Sequence, residues 1–427
     1  MNEYIILVFI IGYTAIIFEH LIRVNKAATA LLTGVGSWIL YIASFDDKGL
    51  VLEQLYAHVG EISGLLFFLL GAMTIVELIE AHSGLDIITE KINQKSKRTL
   101  LWIITIITFF LSAVLDNLTT TILMISLVRK LIEDNNDKLF FASAIVIAAN
   151  AGGVWSPIGD VTTTMLWIGG QINAEQTITK LFLPSFSCFL FALIFITFKI
   201  NGVINNPQTN ESYNNQILSK TQRCIVLISG IFALISVPVF KMLTHLPPFM
   251  GILFGLGIVW FITEMIHLKT DKEFKISYSV ESALKRIDSA TILFFLGILL
   301  CISSLQSIGI LSNLAVWMSE KIANDTIILL TIGLVSAITD NVPLVAAVQK
   351  MFSLSQYPSG NYFWEFLAYT SGTGGSSLII GSAAGVAAMA LEKINFFWYL
   401  KKISIIAITS FFFGAFVYIL QNYIINT

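Results

Sequence analysis

Apolar stretches of about 20 residues recur along this chain between short polar breaks, and this pattern constrains the fold more than any other feature. A bilayer core of about 30 Å calls for about 20 apolar residues per crossing helix, because backbone groups cannot be left unpaired in hydrocarbon. Cutting at the polar breaks gives spans at 4–21, 27–43, 60–79, 139–170, 181–198, 224–243, 248–267, 289–305, 363–391 and 403–423. Composition agrees: 56% of the residues are AVILMFWYC and only 12% are charged, against about 25% in soluble domains. A formal net charge of −2 leaves no basic footprint for nucleic acid. The first residues, Met1-Asn2-Glu3-Tyr4, carry no positive charge and no small-residue cleavage site follows, so the first run is expected to stay attached as a span. The expected fold class is an all-α polytopic membrane protein held in a lipid bilayer.

Two further apolar stretches, 100–128 and 327–348, differ from the rest. Each carries an Asp-Asn pair in its middle, Asp116-Asn117 and Asp340-Asn341. Asp and Asn favour caps and turns over continuous helix, so both stretches are expected to be re-entrant helical hairpins with the pair at the tip. Charge asymmetry tests the arrangement, since Lys and Arg collect in cytoplasmic loops. With the N-terminus outside, only Lys48, Lys180, Lys241, Lys321 and Lys350 of the 25 basic residues fall on the outer side. Reading either hairpin as a crossing helix would invert everything after it and spoil this bias. Both termini are therefore expected outside, with the Asn- and Ser-rich stretch 201–222 as a cytoplasmic linker.

The chain also repeats itself. Ser112-Ala113-Val114-Leu115-Asp116-Asn117 matches Ser336-Ala337-Ile338-Thr339-Asp340-Asn341. Phe68-Leu69-Leu70-Gly71 pairs with Phe295-Leu296-Gly297, and Asn150-Ala151-Gly152-Gly153 with Gly372-Thr373-Gly374-Gly375, at nearly the same offset. Each copy holds an odd number of crossings, so the second must be inverted. Inverted repeats with helices broken near the midplane are the architecture of secondary transporters. The expected division is 1–200 as the first repeat, with an inner hairpin at 100–128 and a broken helix at 139–170. Residues 223–427 form the second, with an outer hairpin at 327–348 and a broken helix at 363–391.

Acids near mid-depth are costly and mark ion paths. Asp116, Asp160 and Asp340 are embedded and lie in motifs, so they are the expected proton- and cation-binding groups. Glu77, about a turn inside the boundary, is a candidate group for letting protons in. Glu61, Glu80, Asp288, Glu365 and Glu392 lie at segment ends and read as headgroup-level. Hydroxyls, amides and broken-helix carbonyls supply supporting ligands: Ser112, Asn117, Thr119, Asn150, Ser156, Ser336, Asn341, Ser371 and Thr373. Hard cations prefer such oxygens, whereas soft metals select thiolate or imidazole. Cys188, Cys224 and Cys301 form no cluster, and the five histidines show no paired ligand spacing, so no resident metal or other cofactor is expected. All five arginines fall in inner loops, which leaves no buried guanidinium for an anion and favours a cation.

Ser112-Ala113-Val114-Leu115-Asp116-Asn117-Leu118-Thr119-Thr120, Ser336-Ala337-Ile338-Thr339-Asp340-Asn341-Val342-Pro343-Leu344-Val345-Ala346-Ala347 and Gly372-Thr373-Gly374-Gly375-Ser376-Ser377-Leu378-Ile379-Ile380-Gly381-Ser382 resemble the NhaD-type sodium/proton antiporters. These belong to the ion transporter superfamily, with arsenite pumps and sodium-coupled dicarboxylate carriers. In the dicarboxylate branch the hairpin tips carry Ser-Asn-Thr, whereas here an Asp precedes each Asn. The resemblance implies exchange of sodium or lithium ions for protons, and pH homeostasis. It also implies a homodimer with a scaffold domain and a mobile transport domain, in a bacterial inner membrane. A carboxylate withdrawn from water can hold a proton or a metal cation near neutral pH, so competition for one site suffices for antiport. An oxyanion exporter or a sodium-coupled carboxylate symporter of the same superfamily is the alternative. An enzyme is not expected, because no nucleophile–base pair or metal cluster is present.

Overall fold

The computed structural model describes residues 2–17, 19–85, 87, 96–203, 218–268, 278–322 and 324–426. Among these the chain is helical, apart from one isolated bridge between Ser96 and Val203. Eight helices are long and apolar enough to cross a membrane: Lys26–Ser44, Lys48–Ala81, Asn135–Val154, Ala174–Thr197, Lys220–Thr244, Pro248–Ile266, Ser289–Ser307 and Ser404–Ile424. The protein is an integral membrane protein.

The polar breaks in the sequence are the caps of these helices. A helix start exposes four unpaired N–H groups, and a short oxygen-bearing side chain satisfies one of them. Asn25, Asp47, Asp134, Asn173, Asp288, Asn324 and Asn361 each accept a backbone N–H this way. Ser219 and Gln222 form a reciprocal capping box. Because Asp47 caps at that point, the helix expected at 60–79 begins at Lys48 and runs to Ala81 in one piece. Short helices at Val280–Arg286, Ile310–Ile322 and Phe396–Lys402 lie between the expected spans. Most of the expected linker, 204–217, lies outside the described residues.

Both Asp-Asn stretches fold as two helices meeting at a tight turn. The first pair is Lys97–Ser112 and Asn117–Leu131, and the second is Asp325–Val335 and Asn341–Met351. The two glycine-rich segments are likewise interrupted. Asn135–Val154 is followed by a break at 155–160 and then Val161–Ile168; Tyr362–Gly374 is followed by a break at 375–382 and then Ala383–Glu392. Every residue from 140 to 154 and from 363 to 377 is buried, so the broken helices form the centre of the bundle.

Packing around this centre recurs in corresponding places. Lys97–Ser112 lies on Asn135–Val154 as Asp325–Val335 lies on Tyr362–Gly374, and the two broken helices pack on each other. Glycine makes the approach close: a Cβ at Gly152 would stand 2.2 Å from the Phe109 carbonyl oxygen, and one at Gly374 2.1 Å from that of Gly333. Lys26–Ser44 packs tightly on Ser289–Ser307, and Ala174–Thr197 on Ser404–Asn426.

Four polar side chains sit differently from what the sequence suggests. Glu365 is buried rather than at headgroup level, held by Lys180 at 2.9 Å and by the Tyr418 hydroxyl at 3.0 Å. Arg223 is buried too, its Nε donating to the Ser83 carbonyl at 3.0 Å, so a buried guanidinium does exist at one end of the bundle. His82 and His267, far apart in sequence, face each other with Nε2 atoms 3.0 Å apart and Tyr278 against both rings. The His82 Nδ1–H donates to the Leu78 carbonyl at 2.7 Å, so in neutral His82 the Nε2 must accept from His267.

Candidate functional site

Each motif acid caps the helix that follows it. Asp116 caps Asn117–Leu131, one carboxylate oxygen accepting the Thr119 N–H and the other the Thr119 hydroxyl, both at 2.8 Å. Asp340 caps Asn341–Met351 through the Val342 N–H at 3.2 Å. Asp160 caps Val161–Ile168, and one oxygen accepts both the N–H and the hydroxyl of Thr162 at 2.9 Å. Three helix starts thereby carry the three carboxylates, and Asn117, next to Asp116, bonds Asp160.

The second oxygen of Asp160 accepts from the Asn117 amide at 3.0 Å, and the same amide nitrogen donates to Asn150 Oδ1 at 3.0 Å. Asn150 Nδ2 in turn donates to the hydroxyls of Ser376 and Ser382, both at 2.8 Å. Ser382 caps Ala383–Glu392, as Asp160 caps its own short helix. One buried polar network therefore runs from the first hairpin tip through both broken helices. Ser382 lines the cavity that holds Asp340, and its neighbour Ala383 lines the one that holds Asp116 and Asn117.

Not every expected ligand faces this network. Ser112 donates to the Ala149 carbonyl at 2.6 Å and Ser336 to the Ser371 carbonyl at 3.0 Å, corresponding bonds that tie each hairpin to its broken helix. The hydroxyls of Ser371 and Thr373 bond carbonyls of their own helix, those of Leu367 and Tyr369. Ser156 accepts the Ile158 N–H inside its turn at 3.4 Å. Asn341 is buried beside Asp340. Glu77 is ion-paired with Arg286 at 2.6 Å. The hydroxyls of Thr120, Thr121 and Ser377 are buried with no hydrogen-bond partner among the described residues.

The sequence reading did not single out Thr162, Ser376 or Ser382 as partners of the network. Ser376 and Ser382 stood in the glycine-serine motif, but Asn150, which bonds both, is 226 and 232 residues away; Thr162 lies two residues from the Asp160 it bonds. Lys26, assigned to an inner loop, reaches the second hairpin: its Nζ stands 3.3 Å from an Asp340 carboxylate oxygen.

Known proteins resemble this chain along most of its length. A family model described as citrate transporter matches residues 13–374. "Sodium/proton antiporter 2" of Arabidopsis thaliana is 47% identical over 97% of this chain and 98% of its own length. "Sodium/proton antiporter 1" of the same plant is 45% identical over 97% of this chain and 71% of its own. The Na(+)/H(+) antiporter NhaD of Vibrio cholerae is 32% identical over 93% of this chain and 87% of its own length.

Proposed function

The chain belongs to the NhaD-type sodium/proton antiporters, within the family described as citrate transporter, and from that premise we propose that it exchanges sodium or lithium ions for protons by alternating access. Asp116, Asp160 and Asp340 take up either a cation or protons, and Asn117, Asn150, Asn341 and the broken-helix oxygens complete the cation's shell. The observation that carries this reading is the buried oxygen network that joins Asp160, Asn117, Asn150, Ser376 and Ser382, with Asp116 next to Asn117 and with Asp340 sharing a cavity with Ser382. Oxygen ligands suit a small hard cation, and the buried hydroxyls of Thr120, Thr121 and Ser377 add acceptors that no protein group uses. A buried doubly charged site is costly to move through a low-dielectric core, so the transport elements cross only when a cation or protons neutralise it.

In this proposal residues 1–200 and 223–427 are inverted repeats, the two helix pairs are re-entrant, and both termini lie outside. The recurrence of Ser112 on Ala149 and Ser336 on Ser371 supports it. The hairpins and broken helices form a transport unit that moves against the other helices, and two chains associate as a homodimer. Relatives come from a plant as well as bacteria, so the proposal is for a membrane that holds a proton gradient, rather than for a bacterial inner membrane alone.

The test is proton flux in everted membrane vesicles from cells lacking their own antiporters. Adding sodium or lithium chloride after respiration has acidified the lumen should collapse the pH gradient. Asp116→Asn and Asp340→Asn should abolish the response with membrane levels unchanged. Normal exchange by either variant would remove that residue from the mechanism. The family description makes carboxylate symport the second reading: sodium-dependent citrate uptake without proton release would favour it.

A further inference from the structure

The two hairpin tips differ in how their carboxylates are matched. Asp116 is held by the N–H and hydroxyl of Thr119, whereas Asp340 pairs with the ammonium of Lys26 at 3.3 Å. Lys26 does not belong to either hairpin or broken helix. It opens the helix Lys26–Ser44, which is locked onto Ser289–Ser307 so closely that a Cβ at Gly34 would stand 2.3 Å from the Gly297 carbonyl oxygen. Its ammonium also lies 4.5 Å from the ring centre of the buried Phe294. The cavity around the pair is lined by Tyr13, Glu19 and Ser382, and Glu19 accepts the Lys26 backbone N–H at 3.1 Å. Asp340 and Lys26 are both partly open to this cavity, so an ion entering it meets a carboxylate that already has a partner.

An ammonium and a sodium ion carry the same charge, and Lys is a compact point charge on a flexible stem. The carboxylate cannot be fully neutralised by both at once. The Phe294 face, which already lies against the ammonium, keeps a cation–π attraction for it when the carboxylate takes the cation.

We propose that Lys26 is a built-in counter-ion that competes with the transported cation for Asp340. This rests on the cation-exchange reading above and adds a residue to it. Lys26 sets how much sodium is needed to load the site, and it neutralises the second tip whenever the cation has left. Because Lys26 stands on a helix outside the hairpins, breaking the pair on loading also releases the hairpin tip from that helix.

The experiment measures sodium-driven proton release by the full chain in proteoliposomes over a range of sodium chloride concentrations. Lys26→Met should lower the half-saturating sodium concentration roughly two- to fivefold, the size expected for a partly exposed ion pair. Its maximal rate should also fall, because the emptied tip is left with an unmatched carboxylate. Lys26→Arg, which keeps the charge, should stay near the unaltered protein. In an Asp340→Asn background, adding Lys26→Met should leave the sodium-dependent thermal shift unchanged. A half-saturating concentration in Lys26→Met that is unaltered or raised overturns the proposal, and Lys26→Gln carries the same prediction if Lys26→Met does not accumulate. If the unaltered protein releases no protons on sodium addition, the exchange reading fails and this inference falls with it. Exchange by the unaltered protein with no shift in the variants sinks the inference alone.

Discussion

Asp116 stands at φ 95° and ψ 157°, a region open in practice only to glycine, and a side chain held there costs about 1–3 kcal/mol. The two bonds from Thr119 hold it in place, and the payoff is a carboxylate at the tip of the first hairpin. Asp340 caps its helix at an unstrained φ of −56°, so the two tips are not equivalent in backbone. Replacing Asp116 by glycine relieves the strain and costs little as a cap, since glycine is tolerated at N-caps. Asp116→Gly should therefore withstand heating in detergent better than Asp116→Ala, while neither exchanges ions. Equal midpoints in a thermal unfolding assay would show that the tip is unstrained. At this scale the sequence exposed the acids, because a charged pair inside an apolar run is conspicuous. It did not expose Ser382, Lys26 or the facing histidines His82 and His267, whose partners are brought close only by folding. Ser371 and Thr373 lie in the same motif, yet their hydroxyls turn to helix carbonyls, because a helical Ser or Thr always has one within reach.

Among the elements, the breaks were legible and the extents less so. Gly and Pro at 152–159 and Gly at 372–381 marked interruptions that the structure places at 155–160 and 375–382. The helix from Lys48 outran its apolar stretch because a cap, not hydropathy, decides where a helix begins. The glycines inside the broken helices are there for contact. Gly152→Ala and Gly374→Ala force a methyl against a neighbouring backbone carbonyl that cannot swing aside, an overpacking worth about 1–3 kcal/mol or more. Both should lower the melting midpoint and the exchange rate. Gly257→Ala, in the helix Pro248–Ile266 and with nothing within 4 Å of the new methyl, should be neutral or stabilising by up to about 1 kcal/mol. A melting series on the three variants checks the contrast; equal midpoints would mean that the helices do not approach this closely.

The whole molecule is assembled from contacts between its two halves. Lys26–Ser44 packs on Ser289–Ser307, Ala174–Thr197 on Ser404–Asn426, and Asn150 bonds Ser376 and Ser382. The ion pair of Lys180 with the buried Glu365 joins them again. Residues 1–203 and 218–427 expressed as two chains in one cell should therefore reassemble and restore sodium-driven proton release, with neither half active alone. Activity from a single half would refute a site built between them. The sequence by itself determined that this chain lives in a membrane, where its helices break and that Asp116, Asp160 and Asp340 lie inside apolar stretches. Each of these is written in neighbouring residues, through the apolar length a bilayer demands and the N–H groups a helix start leaves open. The tertiary structure decided which oxygens meet, that Glu365 and Arg223 are buried, and that an ammonium sits on Asp340. Those are contacts between residues distant in the chain, and packing alone selects them.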